Sequence, residues 1–207
     1  PACPDGSAVI GRYAIARFNL EARGTPSHAS WALSEGRSAI AEMAGKVAEI
    51  EAFTTEDCSF SVGVIHGGQW VNCVSSVCDA EVLSMAKTQG LLDEGVRRML
   101  DLNTDGGDVR LAVRRGVTRP LWQEGQPGTM AMLDVARGIA SEIGFDLPAC
   151  SAGGGSDGNF TGALGLATLD SIGVRGKGLH TLDEHIEVSS LVDRAKLAAG
   201  LYCRLGA

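Results

Sequence analysis

Residues 11–24 read GRYAIARFNLEARG. Ala14, Ala16, Phe18, Leu20 and Ala22 are apolar at every second position, alternating with Tyr13, Ile15, Arg17, Asn19 and Glu21. A period of two is that of a half-buried strand. Gly24, Pro26 and Ser27 then break it. Outward from this strand, WALSEGRSAIAEMAGKVAEIEAF (31–53) spaces Trp31, Ile40, Met43, Val47 and Ile50 as one face of a helix, which Thr54, Thr55 and Asp57 end. SFSVGVIHG (59–67) and WVNCVSSVCDAEVLSMA (70–86) read as two strands, with Gly67 and Gly68 suited to a tight hairpin. Residues 90–103, with Leu91, Leu92, Val96, Met99 and Leu100, predict a second helix, and DVRLAVRRGV (108–117) a fourth strand. The order βαββαβ over 11–117 predicts an α+β ferredoxin-like sandwich, its helices on one face of an antiparallel sheet.

Residues 1–10 read as a junction. The chain opens on Pro1, not Met, as expected of a processed product or a fragment. PLWQEGQPGTM (120–130) is a Pro- and Gly-rich boundary, and the style of the sequence changes across it. Over 118–207 a helix through Met130, Leu133, Val135, Ala136, Ile139 and Ile143 precedes DLPACSAGGG (146–155). A helix after Ser156, a strand around Leu166–Leu169 and a terminal helix from about Val188 complete an α/β layer. Two or three short strands would leave a face of that sheet uncovered.

A net charge of −7 argues against nucleic acid as a partner, because phosphate binding needs clustered Lys and Arg. No apolar run approaches the roughly 18 residues of a membrane span, and no signal-peptide pattern opens the chain. Six cysteines, at 3, 58, 73, 78, 150 and 203, form no Cys-x-x-Cys pair. They read as buried cytoplasmic thiols, with a disulfide or a thiolate zinc site as the alternative.

Five places can carry chemistry. In GGGSDGNF (153–160) the glycines let backbone amides approach a ligand, and Ser156 or Asp157 can cap the next helix. Aligned amides there would seat a carboxylate or oxyanion; a plain strand-to-helix turn accounts for the same residues. Gly178–His185 holds His180, Asp183, Glu184 and His185, which suit a metal or a solvated helix start. The two histidines are not an i, i+4 pair, so one ligand is expected, not two. His28, in the polar turn after the first strand, reads as a functional or a solvent-facing histidine. Asn72, at the start of the fourth element's strand, and Arg119, before Pro120, are ordinary element-end residues in isolation.

Taken in this order, Gly24–Ser30, GRSAI (36–40), Gly153–Asn159 and His180–Glu184 resemble the zinc metallopeptidase family of glutamate carboxypeptidase, acetylornithine deacetylase, succinyl-diaminopimelate desuccinylase and aminoacylase. The resemblance covers nearly the whole chain. It implies a ferredoxin-like dimerisation domain followed by the C-terminal part of an α/β zinc-hydrolase domain, with a homodimer formed through 11–117. It implies that His28 polarises the scissile carbonyl, that Asn72, Arg119, Gly154, Gly155 and Ser156 bind substrate, and that His180 ligates one of two zinc ions per complete subunit. The remaining ligands and the catalytic glutamate would belong to a missing N-terminal catalytic segment, so this chain alone is expected to be inactive. The substrate would be a small acyl-amino acid or dipeptide-like molecule, with N-acyl-amino-acid deacylase or desuccinylase activity as the near alternative. The chain departs from the family at Leu83-Ser84-Met85, where Met85 replaces an arginine, and at Ser75, where a proline is expected. These departures leave open a non-catalytic dimerisation module.

Overall fold

The computed structural model describes residues 3–206. Residues 1, 2 and 207, and with them the start of the 1–10 junction, lie outside the described residues. The chain forms two compact units: residues 14–119, and the segments that precede and follow them, up to Tyr13 and from Pro120. The predicted first strand is broken at this crossing. β1 (Ala8–Arg12) belongs to the outer unit and β2 (Ala14–Arg23) to the inner one. Residues 8–10, read as junction, are therefore strand.

In the inner unit β2 is followed by α1 (Ala39–Glu51), β3 (Cys58–Gly67), β4 (Val77–Ala86), α2 (Gln89–Leu100) and β5 (Arg110–Arg119). The sheet order is β3-β4-β2-β5, and every neighbouring pair is antiparallel. The alternation of β2 is realised. Ala14, Ala16, Phe18, Leu20 and Ala22 are all buried, while Arg17, Asn19 and Arg23 are exposed. Met43 and Ile50 of α1 and Leu92, Val96 and Met99 of α2 are buried with them. Burying each such side chain contributes on the order of 1.5–3 kcal/mol, so this shared apolar layer holds the unit.

Two local expectations fail for the same reason. The first helix does not begin at Trp31, which is 91% exposed; it begins at Ala39, where the Ser38 hydroxyl accepts from the Ala41 N–H at 3.1 Å. Gly67 stays in β3, paired with Cys78, and residues 68–76 form a long connection in place of a tight hairpin. In both cases backbone is diverted to pair the two loops. Val74 N donates to Ser27 O at 2.9 Å, and Ala29 N to Asn72 O at 3.0 Å. Arg37 and Thr25 exchange two further bonds. Gly24 is required here because a Cβ would lie 2.0 Å from the Arg37 carbonyl oxygen.

The outer unit adds α3 (Pro127–Ile143), β6 (Ala149–Ala152), α4 (Gly158–Ala163), β7 (Gly176–Lys177), β8 (His185–Ile186) and α5 (Leu191–Leu205). Pro127 opens α3 and left-handed Gly144 closes it. β1 and β6 pair in parallel, and Ala8, Leu133, Ala136, Ile139, Leu147, Leu197 and Leu201 form the core. The strand expected at Leu166–Leu169 is absent. Only Asp170 bridges to Val9, because Thr168 N bonds the Thr129 hydroxyl and leaves the ladder. No helix among the described residues is long and apolar enough to cross a membrane.

All six cysteines are free thiols, but only Cys58 and Cys78 are buried. Burial, aided by the neighbouring Cys3 thiol, pushes Cys150 up to about 11, and burial also raises Cys78. Since the thiolate is the nucleophile, native-state alkylation near pH ~8 should label exposed Cys73 and Cys203 first and Cys78 among the last. Peptide mapping by mass spectrometry checks the order; early modification of Cys78 would contradict its burial.

Candidate active site

The loop after β2 and the connection before β4 come together at the end of the inner sheet. His28 and Cys73 form an isolated antiparallel bridge, next to the Ala29–Asn72 bond. His28 and Asn72 are both exposed there. Asn72 does not open a strand, as the sequence suggested; it sits in the 68–76 connection, its carbonyl held by the bridge. A neighbouring cleft of about 500 Å³ is lined by Pro26, His66, Trp70 and Cys73.

The His28 ring is oriented by its own turn. Nδ1 accepts from Ser30 N at 3.2 Å and from Trp31 N at 3.4 Å, with the Ser30 hydroxyl at 3.1 Å. A nitrogen that accepts from amides carries no hydrogen, so the neutral ring bears its proton on Nε2. Trp31 stacks on the ring at 5.0 Å and 19°. The turn thus presents an N–H donor suited to a polarised carbonyl oxygen. No periodicity could have revealed Trp31 in this part, since its spacing also fits the helix that follows.

Arg119 stands elsewhere. It pairs with Ile15 at the start of β2, whereas His28 follows the end of that strand. At about 3.3 Å per residue, β2 separates the two ends by roughly 30 Å. Arg119 is half-buried, with its Nε buried and without a hydrogen-bond partner among the described residues. The inner unit brings His28 and Asn72 together and does not bring Arg119 to them.

In the outer unit the glycine-rich turn is held by two residues that sequence reading assigned no role. Arg12 donates from Nε to Asp170 Oδ2 at 2.7 Å, from Nη1 to the Gly154 carbonyl at 3.1 Å, and from Nη2 to the Ser171 hydroxyl at 3.1 Å. Asp170 also accepts from the Ser156 hydroxyl and from Ser171 N. Burial alone would raise the Asp170 carboxyl, but the Ser156 bond and the Arg12 charge hold it below the ordinary carboxylate range. Buried Asn159 completes the clamp, accepting from Ser156 N and donating to the carbonyls of Tyr13 and Pro120. Arg12 and Asp170 are distant in sequence, so no local pattern joins them.

Part of the turn's hydrogen-bonding capacity is used internally. α4 has only six residues, Asp157 makes no side-chain cap, and the Ser156 hydroxyl accepts from Gly158 N instead. The amides of Ser156, Gly158 and Asn159 are all engaged within the turn. Gly154 and Gly155 bring no side chain to this turn.

His180 sits neither on a helix start nor in a cluster. It tops the hairpin between β7 and β8, exposed, at φ 64°, a left-handed conformation that a non-glycine residue holds at a cost of about 1–2 kcal/mol. Its backbone N–H donates to Glu184. His185 differs: its Nδ1 donates to the Asp183 carbonyl at 2.7 Å. Among the described residues no three His, Cys, Asp or Glu side chains converge on a point that would hold a metal. One free imidazole at the hairpin tip is a single ligand, short of the three that a catalytic zinc needs. The residues present therefore do not make a metal site by themselves.

Residues 10–102 match the family described as the peptidase dimerisation domain, M20_dimer. A search of curated proteins finds no match. Among solved structures, a tripeptidase from Staphylococcus aureus is 23% identical, with a TM-score of 0.77 over 97% of this chain and 54% of its own. The aminopeptidase PepT from Bacillus cereus is 22% identical, with a TM-score of 0.70 over 97% and 54%. An amidase of the hydantoinase/carbamoylase family from Burkholderia vietnamiensis is 13% identical, with a TM-score of 0.66 over 93% and 48%. The chain thus spans about half the length of each. It shares the fold of these hydrolases, and its residues 10–102 match a peptidase dimerisation domain.

Proposed function

We propose that these residues form the dimerisation domain and part of the catalytic domain of a metal-dependent amidohydrolase. Its reaction would be hydrolysis of an amide or peptide bond beside a carboxylate-bearing amino acid, in the manner of glutamate carboxypeptidase. The observation that carries this reading is that 97% of the chain follows half of a tripeptidase's fold. We read the βαββαβ unit as ferredoxin-like and as the site of homodimer formation. In this reading His28 donates from Nε2 to the carbonyl oxygen of the substrate, and Asn72 holds the substrate beside it. Gly154, Gly155 and Ser156 are the other substrate-binding residues of this reading, and Arg119 receives the carboxylate across the dimer.

Zinc, two ions per complete subunit, would be bound by His180 together with ligands outside these residues. Free thiols fit a reducing, cytoplasmic compartment. Tripeptide cleavage is a second reading, favoured by the tripeptidase and PepT likenesses.

The test is hydrolysis by the complete protein of N-acyl glutamates and tripeptides, with and without a chelator, alongside light scattering. Chelator-sensitive turnover by a dimer supports the proposal, and the better substrate class decides between the two readings. A dimer without turnover on either class, metal-loaded, would leave a non-catalytic dimerisation module.

A further inference from the structure

Arg194, in the first turn of α5, is only 6% exposed. Its Nη2 donates to the Gly6 carbonyl at 2.6 Å, an approach that a Cβ on Gly6 would obstruct at 2.7 Å. Its Nη1 is buried with no hydrogen-bond partner among the described residues. The guanidinium lies 5.0 Å over the Phe145 ring, which fixes its plane. A buried charge without a counter-ion and a buried donor without an acceptor are both unfavourable. An anionic acceptor would satisfy both.

Room for one is present. Arg194 lines a cavity of about 350 Å³ with Arg175, Phe145, Asp5, Asp146 and Asp193. Besides burial, the charge that bears on Arg194 is that of Arg175, a second cation, whose own partner is Glu187 at 2.8 Å. The Arg175 charge therefore adds to the demand for an anion. The carboxylates on the same walls restrict which anion fits. Asp5 is occupied by the Ser7 amide and hydroxyl. Asp146 and Asp193 would repel a multiply charged anion but attract an ammonium group.

We propose that this cavity binds a free α-amino acid. Its carboxylate accepts from Arg194 Nη1 beside Arg175, and its ammonium faces Asp146 and Asp193. The volume accommodates a free amino acid. The inference is independent of the proposed hydrolase activity, because it rests on residues of the outer unit alone and is measured by binding.

The experiment is calorimetric titration of the complete protein at constant ionic strength with glycine, acetate and methylammonium chloride. Glycine is expected to bind saturably, acetate at least fivefold more weakly, and methylammonium not at all. Arg194→Met should weaken glycine tenfold or more with the circular dichroism unchanged. Should that variant fail to fold, Arg175→Met leaves the Gly6 bond in place and should still weaken glycine at least threefold. Absence of saturable glycine binding would overturn the proposal. Acetate binding as tightly as glycine would overturn the zwitterion assignment. Unchanged affinity in the folded variants would place the binding elsewhere.

Discussion

Dimers mixed from His28→Ala and Arg119→Ala chains should recover up to half of the activity that each variant loses alone. The two residues lie at opposite ends of β2, roughly 30 Å apart, too far for one small substrate to touch both within one inner unit. A twofold dimer removes the difficulty, since it can set the His28 end of one protomer beside the Arg119 end of its partner. Loss of the Nε2 donor is expected to lower kcat by about 10²–10³-fold, as for other oxyanion donors. Loss of the carboxylate anchor should cost about 2–5 kcal/mol and fall on KM as well. In a mixed dimer one site would carry both substitutions and the other neither. Subunit exchange, followed with differently tagged chains of the complete protein, is the measurement. Exchange without recovery would mean that each protomer completes its own site, and that Arg119 does not touch the substrate held by His28.

Asp170→Asn should destabilise the outer unit by about 2–4 kcal/mol. The substitution leaves Arg12 without its counter-charge at a pair that is only 11% and 25% exposed, and breaking such a pair costs several kcal/mol. It also releases the Ser156 hydroxyl, so the glycine-rich turn loses its anchor. The acid dependence has a definite sign. Folding lowers the Asp170 carboxyl below its ordinary value of 3.8. Its stabilisation is therefore complete above about pH 5 and is lost as the pH falls below about 4, through the folded value. Urea midpoints between neutral and acid pH check both points. The wild-type chain should lose stability at the acid end, and the Asn variant should begin lower and fall less steeply. Equal midpoints at neutral pH would show that Arg12 finds other partners at no cost.

The period of two in β2 and the 3.6-residue periods of α1, α2 and α3 were legible because burial repeats at short range along the chain. They determined the βαββαβ order of the inner unit and the first helix of the outer one. So did the positions of His28 and the glycine triplet, each set beside a break in such a pattern. The sequence could not show that the chain leaves one unit at Tyr13 and re-enters it at Pro120. Nor could it show that loops 27–29 and 72–74 pair across forty residues and so displace a hairpin and shorten a helix. The clamp of Arg12 and Asp170 on the glycine turn, and the buried Nη1 of Arg194, also belong to the tertiary structure. Hydrogen bonds and charges are satisfied in space, and the partner of a buried group leaves no mark at any fixed spacing in the sequence.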